Sequence, residues 1–316
     1  MRDMVAIIGS GMMGSGIGAM AALAGNKTVL MDVDQKRAEN GLARAIECIA
    51  LRTENGLNTA EEAERARALL SISTNMEAAV ADARLVIEAI VEDLAVKQEL
   101  FARLDTLLPP EVPICSNTSG LRITEISAKC CHAERTVTTH FWLPAHLVPL
   151  VEVVMGDQTS IELAQQIVCE LKRWQKSPVL VKRDLPGQLA NRIFQAIIRE
   201  AVDIVSSGLA SAEDVDTAIS CGMAMRFPEW GPLKHLDAIG LELGLKVQDS
   251  VLPDICNEKK AGNYLRQLVE KGDTGVKAGK GFYDWSQRDI QEDMSKRDLF
   301  IMAVSYTHLR IRMRYW

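Results

Sequence analysis

Val5-Ala-Ile-Ile-Gly9-Ser-Gly11-Met-Met-Gly14 is the stretch that decides how this chain folds. Residues 5–8 read as a short buried strand, the glycines as a tight turn, and Ile17, Met20 and Leu23 lie at helical spacing beyond it. A second apolar strand, residues 29–31, ends at Asp32, eighteen residues after Gly14 (32 − 14). Strand, glycine turn, helix and an acidic strand end together predict a dinucleotide-binding unit. Gly9 permits the turn, Gly11 lets the backbone approach a pyrophosphate, and Gly14 lets helix and strand pack closely. Met12 and Met13 complete the loop. The pyrophosphate meets the helix N-terminus, where free N–H groups and the macrodipole favour an anion. Asp32 is placed to accept from the adenosine ribose hydroxyls and to repel a 2′-phosphate, which predicts NAD over NADP. Lys36 and Arg37 are the opposing signal.

Outward from that loop, apolar strands recur at residues 85–88, 114–116, 137–139, 151–154 and 179–181. Helical stretches separate most of them, including a charged run over 35–70 and an amphipathic one over 96–107. This alternation predicts βαβ units and a doubly wound parallel sheet of Rossmann type over residues 1–183. Asp184-Leu-Pro-Gly187 then punctuates the chain, and Ile193, Ile197, Ala201 and Ile204 repeat at helical spacing. Residues 184–304 are expected to form an all-helical domain, broken near Phe227-Pro and by the glycines from Gly272 to Gly281. Residues 305–316 (SYTHLRIRMRYW) are abruptly basic. They read either as a solvated tail or as an end foreign to the native gene.

The 316 residues suit two domains, and 47% hydrophobic with 25% charged residues is an ordinary globular balance. A net charge of −6 argues against a nucleic-acid partner. No apolar run approaches the roughly 18 residues of a membrane span, and the N-terminus lacks the pattern of a signal peptide. Seven scattered cysteines show no metal-ligand spacing and read as reduced thiols of a cytoplasmic protein. No metal is expected.

Among five histidines, His140 ends a predicted strand at the carboxyl edge of the sheet, where such folds place their ligands. A strand-end histidine alone is more often structural. Glu152 enters the next strand, however, within reach of the imidazole if the two strands are neighbours. A carboxylate there fixes the tautomer and raises basicity, as an acid/base residue near neutral pH requires. Ser116-Asn-Thr-Ser119 ends another strand close by. His132, His146, His235 and His308 show no comparable pattern.

Five segments, VIEAIVEDLAVKQELF, SNTSGLRIT, THFWLPAHLVPLVEVV, DLPGQLANRIF and KAGKGFYDW, occur in an order and spacing that resemble the 3-hydroxyacyl-CoA dehydrogenase family. The resemblance runs from the glycine loop to about Trp285. It implies that His140 is the catalytic base, oriented by Glu152, and that Ser119 and Asn191 hydrogen-bond the substrate oxygen. It implies further that Glu92, Lys97, Ser119 and Lys277 hold NAD together with the glycine loop and Asp32. A homodimer formed through the helical domain is implied as well. Without the resemblance, Glu92 and Lys97 read as solvated charges on a helix, Ser119 as turn chemistry and Asn191 as a cap.

Two departures bear on the substrate. Leu143 stands where the family usually has Asn, three residues after the catalytic histidine. Between Lys36 and Leu70, six bases meet six glutamates, a poor surface for the phosphates of CoA. PAHLVPLVEVV and GMAMRFPEWGPL are more similar to the branch that oxidises free hydroxy acids, including gulonate dehydrogenase and lambda-crystallin. Arg226 is placed there either as a two-pronged carboxylate binder or as a solvated arginine. The expectation is oxidation of a small free 3-hydroxy acid. The alternatives are a 3-hydroxyacyl-CoA thioester of fatty acid metabolism and a crystallin-like structural role without activity. A rival family, the β-hydroxyacid dehydrogenases and imine reductases, relies on a lysine in the helical domain and lacks the SNTS, His140 and Glu152 set.

Overall fold

A computed structural model describes residues 2–314, with side chains over residues 2–304. The chain divides into two compact units, Met1–Leu189 and Ala190–Trp316. The expected boundary after Arg183 thus moves to follow Leu189. The cause is Asp184, which is buried and accepts hydrogen bonds from the Arg122 guanidinium (3.1 Å) and the Thr124 N–H (2.8 Å), keeping the linker's first residues on the first unit.

In the first unit the order is β1 (Met4–Ile8), α1 (Met12–Leu23), β2 (Lys27–Met31), α2 (Gln35–Glu54), α3 (Ala60–Ala68), β3 (Leu70–Ser73), α4 (Met76–Val80) and β4 (Ala83–Glu88). Then come α5 (Leu94–Leu107), β5 (Ile114–Ser116), α6 (Ile123–Ile126), β6 (Thr136–Phe141), β7 (Leu150–Val154), α7 (Ile161–Arg173) and β8 (Ser177–Val181). The strands form one sheet in the order β3-β2-β1-β4-β5-β6-β7-β8. From β1 the chain winds outward through β2 and β3, then returns to β4 on the other side of β1. That reversal is the switch point at which doubly wound sheets bind ligands.

Alternation along each strand fills two cores. Ile7, Leu30, Ile87 and Val151 pack with Ile17, Ile49, Ile167 and Trp174 of α1, α2 and α7 and the turn after α7. Ala6, Ile8, Val29 and Val86 face Val80, Phe101, Leu104 and Ile126 of α4, α5 and α6.

Three expectations need correction. The charged run over 35–70 is two helices rather than one. Asn55-Gly56 ends the first, and a capping box, Thr59 with Glu62, starts the second. Leu70–Ser73 is an edge strand whose alternation was too short to register. Finally, the sheet is not wholly parallel: β7 runs antiparallel to β6, and β8 is parallel to β7. Only residues 142–149 join β6 to β7, and a parallel crossover needs about a dozen or more.

The second unit is helical, as expected, with α8 (Leu189–Ser206), α9 (Ala212–Ala218), α10 (Pro232–Ile239), α11 (Leu241–Val251), α12 (Asn263–Glu270) and α13 (Ile290–Arg314). Among its described residues, the buried apolar side chains are Val215 and Met302, whereas Leu209, Leu233, Leu241 and Leu245 are each more than half exposed. The side chains of the basic tail, residues 305–316, lie outside the described residues, His308 with them. No helix among the described residues is long and apolar enough to cross a membrane.

Candidate active site

The glycine loop sits at the switch point, between β1 and β4. Gly9 has φ +99°, and a Cβ there would lie 2.6 Å from the Ala89 carbonyl oxygen. A Cβ on Gly14 would lie 1.8 Å from the Gly9 carbonyl oxygen. Both glycines are therefore required by the chain's own packing. Gly11 is different: a Cβ there would meet nothing within 4 Å. It begins α1 without any side-chain cap, so its surroundings are an open cradle beside uncapped helix N–H groups. That is the space and the chemistry a pyrophosphate needs, and the loop fits a dinucleotide. Met12 is exposed beside it, while Met13 packs on the core.

Asp32 lies just beyond β2. One carboxylate oxygen accepts from the Ser10 N–H (2.9 Å) and hydroxyl (2.8 Å), and the other accepts from the Val33 N–H (2.8 Å). Partial burial pulls its pKa upward, but these hydrogen bonds and the Arg37 charge outweigh it and hold the group below its usual value. A carboxylate offers about four acceptor positions, so one remains for a ribose hydroxyl. Arg37 is paired with Asp34 at 3.2 Å.

Lys97 is not the solvated helix charge that local pattern suggests, and Glu92, though exposed, is not on the helix. Glu92 lies in the loop before α5, whose N-cap is Asp93. It accepts from the Thr118 hydroxyl (2.6 Å) and from the Ser119 and Gly120 N–H groups (both 3.0 Å). Burial raises its pKa, but these donors and Lys97 outweigh it, and Glu92 stays ionised below the usual range. Lys97, on α5, is 1% exposed and donates to Glu88 at 2.5 Å, with Glu92 at 3.4 Å. Glu88 in turn accepts from the Ser116 hydroxyl at 2.6 Å. This network ties the carboxyl ends of β4 and β5 to the turn that presents the exposed Ser119. Glu88 escaped the sequence reading, and its signal was a lone carboxylate closing an apolar strand.

His140 and Glu152 are register partners across the antiparallel β6–β7 pair. The imidazole Nδ1 and a Glu152 carboxylate oxygen are 2.7 Å apart, and Glu152 is completely buried. Such a carboxylate orients the ring and stabilises the imidazolium that forms on proton uptake. With Nδ1 committed to Glu152, Nε2 is the nitrogen left for a substrate proton. Trp142, two residues on, donates its indole N–H to the same Glu152 oxygen at 3.0 Å. It too was missed, although its i+2 spacing from His140 was visible. The Phe141 N–H donates to the Asn117 side chain at 2.9 Å, fastening the histidine strand to the Ser119 turn. Leu143 is 49% exposed.

Gly9, Gly11, Gly14, Asp32, Glu92, Lys97, Ser119, His140 and Glu152 thus all belong to the first unit, around the carboxyl ends of β1, β2, β4, β5 and β6, with Glu152 on antiparallel β7 opposite His140. Asn191, Arg226 and Lys277 belong to the second. Asn191 sits in the first turn of α8, and Arg226 and Lys277 are exposed. Among the described residues, no cluster of three or more His, Cys, Asp or Glu could hold a metal ion.

Comparison with known proteins fits this geometry. Residues 4–185 match the 3-hydroxyacyl-CoA dehydrogenase NAD binding domain, and residues 187–285 match the C-terminal domain of the same family. The chain belongs to the 3-hydroxyacyl-CoA dehydrogenase family and is an NAD-dependent dehydrogenase acting on a hydroxyl group. It is 30% identical to the 5-formyl-3-hydroxy-2-methylpyridine 4-carboxylate 5-dehydrogenase of Mesorhizobium japonicum, over 95% of this chain and 96% of the other. It is 34% identical to the human mitochondrial hydroxyacyl-coenzyme A dehydrogenase, over 89% of this chain and 90% of that one. A crystal structure of a 5-formyl-3-hydroxy-2-methylpyridine 4-carboxylic acid 5-dehydrogenase, described as an NAD+-dependent dismutase, superposes with a TM-score of 0.87. The two are 28% identical, and the match covers 98% of this chain and 99% of that one.

Proposed function

We propose that this enzyme oxidises the hydroxyl group of a small acid that carries a free carboxylate. The observation that carries this reading is the likeness, along essentially the whole chain, to a dehydrogenase named for a pyridine carboxylate, at a TM-score of 0.87. The charge around α2 and α3 supports it: Arg65 pairs with Glu61 and Arg67 with Glu64, so the exposed bases of α3 are already matched by acids. Such a surface offers little to the phosphates of CoA.

His140 takes the hydroxyl proton at Nε2, and Glu152 holds the resulting imidazolium. Bound NAD would supply the hydride acceptor for the carbon that bears the hydroxyl. Ser119 and Asn191 hydrogen-bond the substrate oxygen and stabilise its developing charge. Glu92 and the glycine loop hold the cofactor, Lys97 acts by holding Glu92, and the roles assigned to Lys277 and Arg226 are cofactor and substrate-carboxylate binding.

The second reading, a 3-hydroxyacyl-CoA thioester, is favoured by the 34% identity to the human coenzyme A enzyme. NADH absorbance separates the two. Free hydroxy acids, including hydroxymethylpyridine carboxylates and 3-hydroxybutyrate, should support NADH formation, and acetoacetate should be reduced at least as well as acetoacetyl-CoA. Much faster reduction of acetoacetyl-CoA would overturn the free-acid reading.

We also propose a homodimer through the helical unit, supported by the scarcity of buried apolar side chains there. A cytoplasmic setting is supported by seven cysteines that are all free.

A further inference from the structure

His140 is not the sole donor to Glu152. The indole N–H of Trp142 and the imidazole Nδ1 converge on one oxygen of that carboxylate, at 3.0 and 2.7 Å. The rings stand 5.9 Å apart, tilted by 51°. Both side chains leave the end of β6 on the same side, two residues apart. Glu152 is fully buried, with Val179 of β8 as its register partner on the far side. Two nearby cations donate to backbone carbonyls of the connection over residues 142–149. Lys176 lies over the Phe141 ring and donates to the Ala145 and Val148 carbonyls, while Arg52 donates to the His146 carbonyl. Phe141 alternates with His140, so Lys176 is on the opposite face of the sheet. Arg122, the N-cap of α6, is paired with Asp184.

We propose that Trp142 is a positioning residue for proton transfer, holding Glu152 in the rotamer that meets His140 and drawing part of the carboxylate's charge onto its own N–H. The physical argument turns on sharing. A buried carboxylate with one donor gives its full acceptor strength to that donor, whereas a second N–H on the same oxygen weakens the first bond. Without the indole N–H, more of that oxygen's acceptor strength falls to His140, and Glu152 stabilises the imidazolium formed in proton transfer more strongly. The indole therefore moderates how strongly Glu152 favours the imidazolium.

This inference rests on His140 being the acid/base residue, and the test keeps the two apart. Trp142→Phe retains the ring and removes the N–H. The acidic limb of the kcat/KM profile should move up by about half a unit to one unit, with a loss of roughly 3–10-fold in kcat/KM below the limb and little change in NAD affinity. In a Glu152→Gln background the same substitution should move the limb by less than half as much, because the charge it acts through is gone. An unmoved limb, or equal displacement in both backgrounds, overturns the role of Trp142. Near-normal turnover of His140→Ala would instead overturn the functional reading beneath it. A measurement with native side chains stands beside these variants. In protein labelled with 15N-tryptophan, the indole resonance displaced by Glu152→Gln should titrate in the unmutated enzyme with the midpoint of the kinetic limb. If no indole resonance responds to Glu152→Gln, the hydrogen bond, and the proposal with it, is absent in solution.

Discussion

His140 meets Glu152 because the connection between their strands is too short for a crossover, so β7 folds back beside β6 and places residue 152 opposite residue 140. Removing the imidazole by His140→Ala should lower kcat by about 10²–10⁴-fold while leaving the dissociation constant of NAD within about threefold. Glu152→Gln should cost less, since the amide still accepts from Nδ1 but no longer offsets the imidazolium charge. Steady-state kinetics with the best acid from the substrate screen, together with NAD titration followed by protein fluorescence, checks both. A similar distinction between contact and support applies to Lys97, which is fully buried against Glu88 and acts on the Ser119 turn through Glu92.

Two elements bear directly on the site. In the glycine loop, Gly14 and Gly11 should respond oppositely to alanine. At Gly14 the methyl would collide with the Gly9 carbonyl, so the loop must move, and both melting temperature and NAD binding should fall. At Gly11 the methyl has space, so stability should stay within about 0.5 kcal/mol while NAD affinity drops at least about tenfold. Thermal melts with and without NAD separate the two effects. The connection over residues 142–149, which follows the histidine strand, is held by Lys176 from β8's leading end. Burial, and then the Arg52 charge, push the Lys176 pKa down to about 7. The unfolded chain, with an ordinary lysine, binds the proton more tightly than the folded one between pH 7 and about 10. The Lys176 contribution to stability therefore rises with pH across that window and is least favourable below it. Lys176→Met should flatten the rise of melting temperature between pH 7 and 10 relative to the unmutated protein. A parallel pH dependence of the two proteins would contradict that account.

At the scale of the whole molecule, the two units differ in kind. The first buries a sheet between two helical layers and has two well-filled cores. The second leaves Leu241, Leu243, Leu245 and Val247 of α11 all more than half exposed, along with Leu209 and Leu233. A globular unit with so little buried apolar surface is expected to complete its core against another copy. Sedimentation should therefore give a dimer at micromolar concentration, and Leu241→Asp with Leu245→Asp should yield a monomer that melts at lower temperature. A stable monomer of the unmutated chain would show that this surface has another use.

Sequence alone determined what depends on neighbours along the chain. The strand, glycine turn and helix at the N-terminus, the acidic residue at the second strand's end, and the change from strand to helical periodicity after Lys182 all follow from patterns within a few residues. His140 and Glu152 were legible because both lie on short apolar strands twelve positions apart (152 − 140). Tertiary structure decided what depends on which strands become neighbours. Leu70–Ser73 pairs at an edge because β2 offers an open side. Lys97 looked like a solvated helix charge until α5 packed over β4 and buried it against Glu88. Trp142 gained its role only when antiparallel pairing brought Glu152 opposite His140. Desolvation and hydrogen-bond partners are properties of the assembled sheet, and local periodicity carries no record of them.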